Sequence, residues 1–423
     1  MTVVGHATTT AGPRPTHRGG LRTTALLMAP QMATAAASLL INVLAARTLG
    51  PAGRGQIALL LQVGYLTNLC AQAGTDRAYP VLIPPGRTPL AALADTLRLV
   101  TPTGLLVVAA AVPVVAVVGA DTGDGIALTV VVFVVAAAAM VTGGAVRTAA
   151  AASGTAVPFA VGALTGQVVL IAAACALTTA EVDSAAGWLA AYAAALTTAP
   201  ALSWLLLRRR TPPIGPSPAA GLRQARQLGL RLLPAGLASL IMLRADRLFL
   251  PWLGSYEQLG LYIVVATVGE FAVWPVQSWV DANAARWHRQ HLAGTLNRTR
   301  PLAAACGYGL TAAAALIGAG RLLVPPVFGD DYRDATNLLL PLAAGTFAYA
   351  VSRVAVGLGV ATGRARSALI ADIPAMLIAV AAYLLLIPHS GAYGAAVGSA
   401  IAYAAGALLA LAALTTGRPE PAR

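Results

Sequence analysis

Long apolar segments alternate with short polar ones along almost the whole chain. Each apolar segment is close to the ~20 residues that a helix needs to cross the hydrocarbon core of a bilayer. The pattern therefore predicts an all-α integral membrane protein with about twelve transmembrane helices. The predicted spans are 22–46, 57–80, 99–119, 126–147, 157–178, 187–207, 229–252, 259–281, 301–319, 336–360, 368–388 and 393–416.

The charged residues predict which side of the membrane each connection faces. Arg collects on the cytoplasmic side of membrane proteins, and an even number of spans places both termini on one side. Arg-rich connections such as 208–226 and 286–300 alternate with acidic ones such as 121–124 and 330–334. We therefore expect both termini to be cytoplasmic.

An Arg-rich and Pro-rich connection at 208–228 divides the chain into two halves. The sequence predicts an N-terminal lobe at 22–207 and a C-terminal lobe at 229–416. Cytoplasmic tails are expected at 1–21 and 417–423. The N-terminal tail is polar and contains no short apolar region followed by a cleavage site, so we expect no signal peptide.

The two halves resemble each other in sequence. Pro30 and Gly55 recur as Pro234 and Gly260, with one residue of slip between the two matches. Each half is predicted to contain about six spans, and an even number makes the two halves run parallel about an axis along the membrane normal. Two such bundles around a central cleft favour transport, because one lobe can rock against the other.

Composition supports a membrane location. Hydrophobic residues make up 58% of the chain and charged residues only 10%, whereas soluble domains carry about 25% charged residues. The mean hydropathy is +0.74. The net charge of +13 comes from Arg alone, and because these residues lie between apolar spans, topology explains them better than a nucleic-acid partner.

Three segments resemble a known family. They are 49–56 (LGPAGRGQ), 244–247 (RADR) and 328–332 (FGDDY). They are similar to the first outer loop, the seventh helix and the ninth-to-tenth connection of bacterial polysaccharide flippases, which belong to the multidrug/oligosaccharidyl-lipid/polysaccharide (MOP) exporter superfamily.

The resemblance implies a MATE-like fold, with two parallel six-helix lobes around a central cleft. It also implies a flippase in the bacterial cell (plasma) membrane. Such a protein moves a lipid-linked oligosaccharide, usually on polyprenyl pyrophosphate, from the cytoplasmic to the outer leaflet for cell-surface polysaccharide synthesis. A glycan polymerase or glycosyltransferases of the same pathway would be its partners, together with the lipid bilayer.

Charged residues inside predicted spans are the candidates for substrate binding, because each costs at least about 2.5–3.5 kcal/mol to insert. Arg244 and Arg247 lie three residues apart and share a helical face, while Asp246 projects away from it. Arg suits phosphate because its planar group binds oxyanions bidentately. Either these arginines hold a pyrophosphate in the cleft, or an Asp246–Arg pair locks the helices together.

Two further charges lie within spans. Glu270 is expected to pair with an arginine of the seventh span, in preference to coupling transport to H⁺ or Na⁺, and we expect no cofactor. Arg353 is a second candidate for the cavity, as is Asp372. Both lie toward the predicted cytoplasmic side, where snorkelling to the interface is the simpler interpretation.

Four residues near span ends are candidates for a gate or mouth. Asp76 and Arg77 close the second predicted span at its cytoplasmic end, where they form either the mouth or, as we expect, a local interfacial pair. Arg47 and Arg54 lie in a predicted outer connection, although outer connections otherwise avoid Arg. They are either an anion exit site or ordinary solvated residues of a loop. We expect no metal site.

That last expectation rests on His and Cys spacing. His288 and His291 have no further ligand at suitable spacing. The cysteines (Cys70, Cys175 and Cys306) lie in apolar segments without disulfide or metal-ligand spacing.

Other functions remain open at the level of sequence. A cation-coupled multidrug antiporter of the same superfamily would share the architecture, but would favour acidic residues in its cavity. A major-facilitator carrier would need a more basic loop than the one holding Arg87 and Arg98. A membrane-embedded glycan polymerase or ligase would need a large outer loop, and the longest outer connection, at about 320–335, leaves little room for one. The chain has no nucleotide-binding Gly-rich loop, which argues against transport driven by ATP bound to this chain.

Overall fold

The computed structural model describes residues 17–82, 88–153, 156–208, 219–364 and 367–416, which are helical almost throughout and contain no strand. The α-helices of these residues are α1 (His17–Gln72), α2 (Thr75–Leu82), α3 (Pro89–Asp121), α4 (Ile126–Ser153), α5 (Ala156–Thr179), α6 (Ala185–Arg208), α7 (Ala219–Leu253), α8 (Tyr256–Leu292), α9 (Thr299–Phe328), α10 (Leu339–Ala361) and α11 (Ser367–Thr416). A 3₁₀ helix, Asp330–Leu338, joins α9 to α10. The predicted tails before residue 17 and after residue 416 lie outside the described residues.

Two of these helices each contain two predicted spans. Helix α1 bends at Gly50, which has φ 65°, and α11 bends at Gly391, which has φ 52°. Glycine adopts positive φ at little steric cost, so Gly50 can turn the chain without a loop. Among the described residues, 8 helices are long and apolar enough to cross a membrane. The prediction of an all-α membrane protein with about twelve spans is confirmed.

The second predicted span is interrupted. Helix α1 ends at Gln72, and Ala73 and Gly74 adopt φ values of 47° and 71° before α2 begins. The apolar pattern of 57–80 gives no sign of this break, because hydrophobicity does not report backbone conformation. The break places the start of α2 beside α7 of the other lobe.

The connection between the halves is shorter than predicted, since α7 begins at Ala219. Ala225 is buried, and Leu222 packs beside it against an apolar cluster of the N-terminal lobe. Arg223 and Arg226 are exposed. Apolar and basic residues at three-residue spacing make the start of α7 amphipathic, and its arginines are the reason that a loop was predicted here.

The helices form two lobes. Helices α3, α4, α5 and α6 pack with α1 in the N-terminal lobe, and α9, α10 and α11 pack with α7 and α8 in the C-terminal lobe. The cores are rich in alanine and contain few large side chains, such as Trp188 in the first lobe and Tyr383 in the second. Small residues let helices approach closely where lipid provides no hydrophobic drive for helix association. Large apolar side chains such as Leu106 and Leu385 point outward.

The lobes touch through backbone at one end, which we call the outer seam because the topology predicts it to face outward. A Cβ atom on Gly55 would lie 1.9 Å from the carbonyl oxygen of Tyr256, and one on Gly260 would lie 1.9 Å from that of Pro51. The matched glycines of the sequence repeat therefore make reciprocal contacts, as in a two-fold interface. The Tyr256 hydroxyl also donates to Asp121 Oδ2 at 3.2 Å across the seam.

Substitution at the outer seam tests this contact. Gly260→Val should push the lobes apart and lower the melting temperature (Tm) of the purified protein by several degrees, because overpacking costs about 1–3 kcal/mol. Gly307→Val is the matched control, because a Cβ atom at Gly307 would meet nothing within 4 Å. Equal Tm changes in both variants would contradict the close approach.

Candidate functional site

A cavity of about 290 Å³ lies between the lobes, next to the outer seam. Helices α1, α5 and α6 form one wall, and α7 and α8 form the other. The polar side chains that line this central cavity are Ser38, Asn42, Arg54, Gln62, Tyr65, Gln167, Tyr192, Arg244, Arg247, Thr267 and Glu270.

The C-terminal wall of the central cavity holds a three-residue ion cluster. Arg244 Nη2 lies 3.2 Å from Glu270 Oε2, and Arg247 Nη2 binds the other carboxylate oxygen, Oε1. The two arginines reach one carboxylate because they lie three residues apart on α7 and so share a face. The expected pairing of Glu270 with arginines of the seventh span is thus present.

Arg54 comes from the opposite wall. Its side chain is buried, and Nη2 donates to Asn42 Oδ1. Its Nε and Nη1 atoms are also buried but make no hydrogen bond, and the same is true of Arg247 Nε. Buried guanidinium N–H groups without partners are costly, so this arrangement is suited to a ligand that supplies acceptors.

The position of Arg54 differs from the prediction, which placed it with Arg47 in an outer connection. Helix α1 resumes directly after the bend at Gly50, so Arg54 occupies the first turn of the second span and faces the cleft. Arg47 instead donates to the carbonyl oxygens of Val327 at 2.8 Å and Pro326 at 2.6 Å. Arg47 therefore caps the last turn of α9, and it does not line the central cavity.

A cation–π contact crosses the cleft. The guanidinium carbon of Arg244 lies 5.4 Å from the centre of the Tyr65 ring. Tyr65 is on α1 and Arg244 is on α7, so the contact joins the two lobes. Tyr65 remains 52% exposed, which leaves part of its ring open to the cavity.

The electrostatics of the central cavity favour an anion. Among the described lining residues, Arg54, Arg244 and Arg247 face one carboxylate, Glu270. Burial in a medium of low dielectric makes such an excess of positive charge unfavourable unless an anion neutralises it. Phosphate oxygens would meet this need, because guanidinium groups bind them through paired N–H donors.

Asp246 lies behind this cavity, inside the C-terminal lobe. Its carboxylate accepts from the Tyr262 hydroxyl and from the backbone N–H of Arg247, the latter at 2.8 Å. The Ser399 hydroxyl lies 3.5 Å from Asp246 Oδ2. Asp246 therefore links α7 to α8 and α11, as the helix-locking interpretation expected. The partners are hydroxyl groups and not the arginine side chain that was predicted.

Arg353 is also held within the C-terminal lobe. Its Nη1 atom lies 3.3 Å from Asp372 Oδ2, and its guanidinium carbon lies 5.3 Å from the centre of the Tyr349 ring. The pair joins α10 to α11. Arg353 is not among the residues that line the central cavity, so the structure does not bring it together with Arg244.

Asp76 and Arg77 begin α2, next to a second contact between the lobes. A Cβ atom on Gly74 would lie 2.2 Å from the carbonyl oxygen of Gly229 in α7. This contact is at the predicted cytoplasmic end of the cleft, the place expected for a mouth. Arg77 is exposed, and Asp76 is half-buried.

The histidines of α8 form no ligand group. His288 Nδ1 lies 2.9 Å from the carbonyl oxygen of Ala361. In the part of the chain that the structure describes, no cluster of three or more His, Cys, Asp or Glu side chains is placed to hold a metal ion.

The uncharged polar residues of the cavity were not predicted from the sequence. The signal of each is an isolated amide or hydroxyl within an apolar span, which is weaker than the signal of a charge. The missed residues are Ser38, Asn42, Gln62, Tyr65, Gln167, Tyr192 and Thr267.

Comparison with known proteins identifies the fold. No protein-family model and no curated protein sequence matches the chain. The solved structure of the lipid II flippase MurJ, in an inward closed conformation, aligns with TM-score 0.73 and 12% identity, covering 92% of this chain and 87% of MurJ. An inward-facing multidrug resistance MATE family transporter of the MOP superfamily aligns with TM-score 0.69 and 16% identity, covering 90% of this chain and 96% of the transporter.

A third structure agrees with these two. The Vibrio cholerae MATE transporter VcmN aligns with TM-score 0.60 and 13% identity, covering 94% of this chain and 98% of VcmN. The solved neighbours are thus transporters and a flippase of one superfamily. The chain has the fold of the MOP superfamily, as the sequence resemblance predicted.

Removal of the cavity carboxylate tests the charge balance. Glu270→Gln should lower Tm, because Arg244 and Arg247 then lack their counter-ion. Inorganic pyrophosphate should raise the Tm of this variant more than that of the unmodified protein, because a bound anion stabilises the folded state and no carboxylate competes for the arginines.

Glu257→Gln is the control for this measurement, because Glu257 is on the same helix but exposed. If pyrophosphate stabilises the Glu270 and Glu257 variants equally, Glu270 does not occupy an anion site.

Proposed function

We propose that this multi-pass membrane transporter with a MOP fold flips a lipid-linked oligosaccharide from the cytoplasmic to the outer leaflet of the bacterial cell membrane. The carrier is a polyprenyl pyrophosphate, and the exported unit serves cell-surface polysaccharide synthesis. Both termini are cytoplasmic in this proposal. A glycan polymerase and glycosyltransferases of the same pathway are its proposed partners.

The excess of guanidinium groups in the central cavity carries the proposal. A pyrophosphate offers two adjacent anionic groups, and the cavity offers three arginines, two of which have unpartnered N–H groups at Arg54 Nε, Arg54 Nη1 and Arg247 Nε. Arg54 is on the N-terminal lobe, and Arg244 and Arg247 are on the C-terminal lobe. An anion bound between them contacts both lobes, as a substrate must if it is to be coupled to their rocking.

The two inter-lobe contacts support a mechanism of alternating access. The lobes touch at the outer seam through Gly55 and Gly260, and at the predicted cytoplasmic end through Gly74 and Gly229. In the proposed cycle, one of these contacts opens while the other stays closed. Glu270 is the proposed site of any coupling to H⁺ or Na⁺, because release from its arginines would free it to bind a cation.

The rival functions differ in the ligand that they require. A multidrug antiporter would bind cations, which three arginines facing one carboxylate would repel. A glycan polymerase or ligase would have to hold its substrate beside a catalytic group. The solved neighbours are transporters and a flippase, which supports transport in preference to catalysis.

Ligand binding to purified protein in detergent tests this function. A polyprenyl pyrophosphate carrying a sugar should raise Tm. Arg54→Gln should weaken its binding at least about tenfold, because a hydrogen bond to a charged group contributes about 1.5–3 kcal/mol. Arg333→Gln is the matched control, because Arg333 is 74% exposed and pairs with Asp330 outside the cavity.

Cationic drugs form the second arm of the experiment. Stabilisation by drugs alone, lost in Glu270→Gln, would overturn the proposal and assign the protein to multidrug export. Stabilisation by the lipid-linked sugar justifies a reconstituted flipping assay. In that assay Arg54→Gln should slow translocation, while Arg333→Gln should leave the rate unchanged.

A further inference from the structure

A second compartment adjoins the central cavity inside the N-terminal lobe. It has a volume of about 310 Å³ and is formed by α1, α4, α5 and α6. We call it the N-lobe compartment. The two spaces share the side chains of Ser38, Leu61, Tyr65, Gln167, Leu170 and Tyr192. A ligand anchored at the arginines could therefore extend into it.

The chemistry of the N-lobe compartment differs from that of the central cavity. Its described lining contains no carboxylate, and its one charged side chain, Arg147, is exposed, in the second half of α4. Asn68 and Gln167 contribute amides, and Tyr65 and Tyr192 contribute aromatic rings with hydroxyl groups. Amides that both donate and accept, beside aromatic rings, match a neutral molecule that carries many hydroxyl groups.

Unsatisfied amide atoms show that part of this hydrogen-bonding capacity is free. Gln167 Oε1, which belongs to a side chain shared by both compartments, is buried without a hydrogen-bond partner. Gln62 Nε2, on the adjoining wall of the central cavity, is in the same state, and the Gln62 side chain is only 2% exposed. A buried amide atom without a partner is costly, so a ligand hydroxyl at this junction would be favourable.

We propose that the N-lobe compartment binds an uncharged sugar of the transported molecule, while the arginines of the central cavity hold its diphosphate. This inference rests on the proposed function and deepens it. Each compartment is at the lower end of the roughly 300–1,000 Å³ typical of small-ligand pockets. We therefore infer a short sugar chain, with its first sugar beside Gln167 and its second toward Asn68.

The test compares a polyprenyl diphosphate with and without one neutral hexose, by titration against the purified protein in detergent. The glycosylated lipid should bind about 5-fold or more tightly than the bare lipid diphosphate. Gln167→Leu, which keeps a similar volume, should reduce this preference to below about 2-fold, because it removes the amide that hydrogen-bonds the sugar. Because Gln167 also lines the central cavity, the variant is expected to lose some affinity for the bare lipid too, but by a smaller factor than for the glycosylated lipid.

Two further variants make the outcome specific. Gln277→Leu is the matched control: Gln277 lies on α8 and lines neither compartment, so the variant should keep the preference for the sugar. Arg54→Gln should weaken both lipids by a similar factor and leave the preference intact. This pattern would separate the sugar contact from the anion contact.

The outcomes distinguish the two proposals. If neither lipid binds, the proposed function fails. If both lipids bind equally to the unmodified protein, the anion site stands and the sugar compartment is refuted. If Gln167→Leu weakens both lipids equally, Gln167 acts only on the shape of the cavity, and the sugar assignment is overturned.

Discussion

Three guanidinium groups share one membrane-embedded cavity in which Glu270 is the single carboxylate among the described lining residues. A charged side chain in a low-dielectric interior needs a partner of opposite charge, because without one nothing offsets the free energy of removing the charge from water. Glu270 neutralises Arg244 and Arg247 only in part, because one carboxylate faces two guanidinium groups. It forms no ion pair with Arg54 on the opposite wall. Arg54 instead relies on the amide of Asn42. The charged side chains that line the cavity are thus linked by hydrogen bonds, but their charges do not cancel.

The distribution of these charges connects electrostatics to the movement of the lobes. Arg54 belongs to α1, and the paired arginines belong to α7, so like charges face each other across the cleft. The backbone contacts at Gly55 and Gly260 bring the lobes together at the outer seam, where the residues that the structure describes form no ion pair between the lobes. An anion between the walls would replace repulsion by attraction. In such an arrangement, occupancy of the site biases the position of the lobes, as any ligand does that interacts differently with two conformations.

Much of the fold could be predicted from the sequence, because the bilayer imposes a simple pattern. A span needs about 20 apolar residues, so the approximate number of spans and the two-lobe arrangement followed from hydropathy and from the repeat. The repeat also identified Gly55 and Gly260 as equivalent positions, and the structure shows why both are glycine. The breaks were not predicted, since Ala73 and the first turn of α7 depend on backbone angles and on contacts with the other lobe.

The site was predicted less completely, for a related reason. Insertion cost singled out Arg244, Arg247 and Glu270, and all three line the cavity. The same cost did not single out Arg54, because a residue beside a predicted connection was expected to be solvated. Its direction depends on the bend at Gly50, which lets a helix begin where the pattern predicted a loop. Gln62 and Gln167 were missed because a single amide in an apolar span carries little signal.

The charged groups and the amide groups lie in adjoining compartments, and they contribute differently to binding: the charges to affinity and the amides to specificity. Arginines bind any phosphate strongly, so they cannot distinguish one lipid-linked molecule from another. Discrimination comes from neutral hydrogen bonds, since a buried amide left unpaired by the wrong ligand costs about 1–3 kcal/mol. A site built to bond a hydroxyl therefore rejects an analogue that lacks it far more strongly than an apolar pocket does. In the proposed mechanism, Arg54, Arg244 and Arg247 provide affinity for every diphosphate lipid, and Gln167 adds the preference for a lipid that carries a sugar.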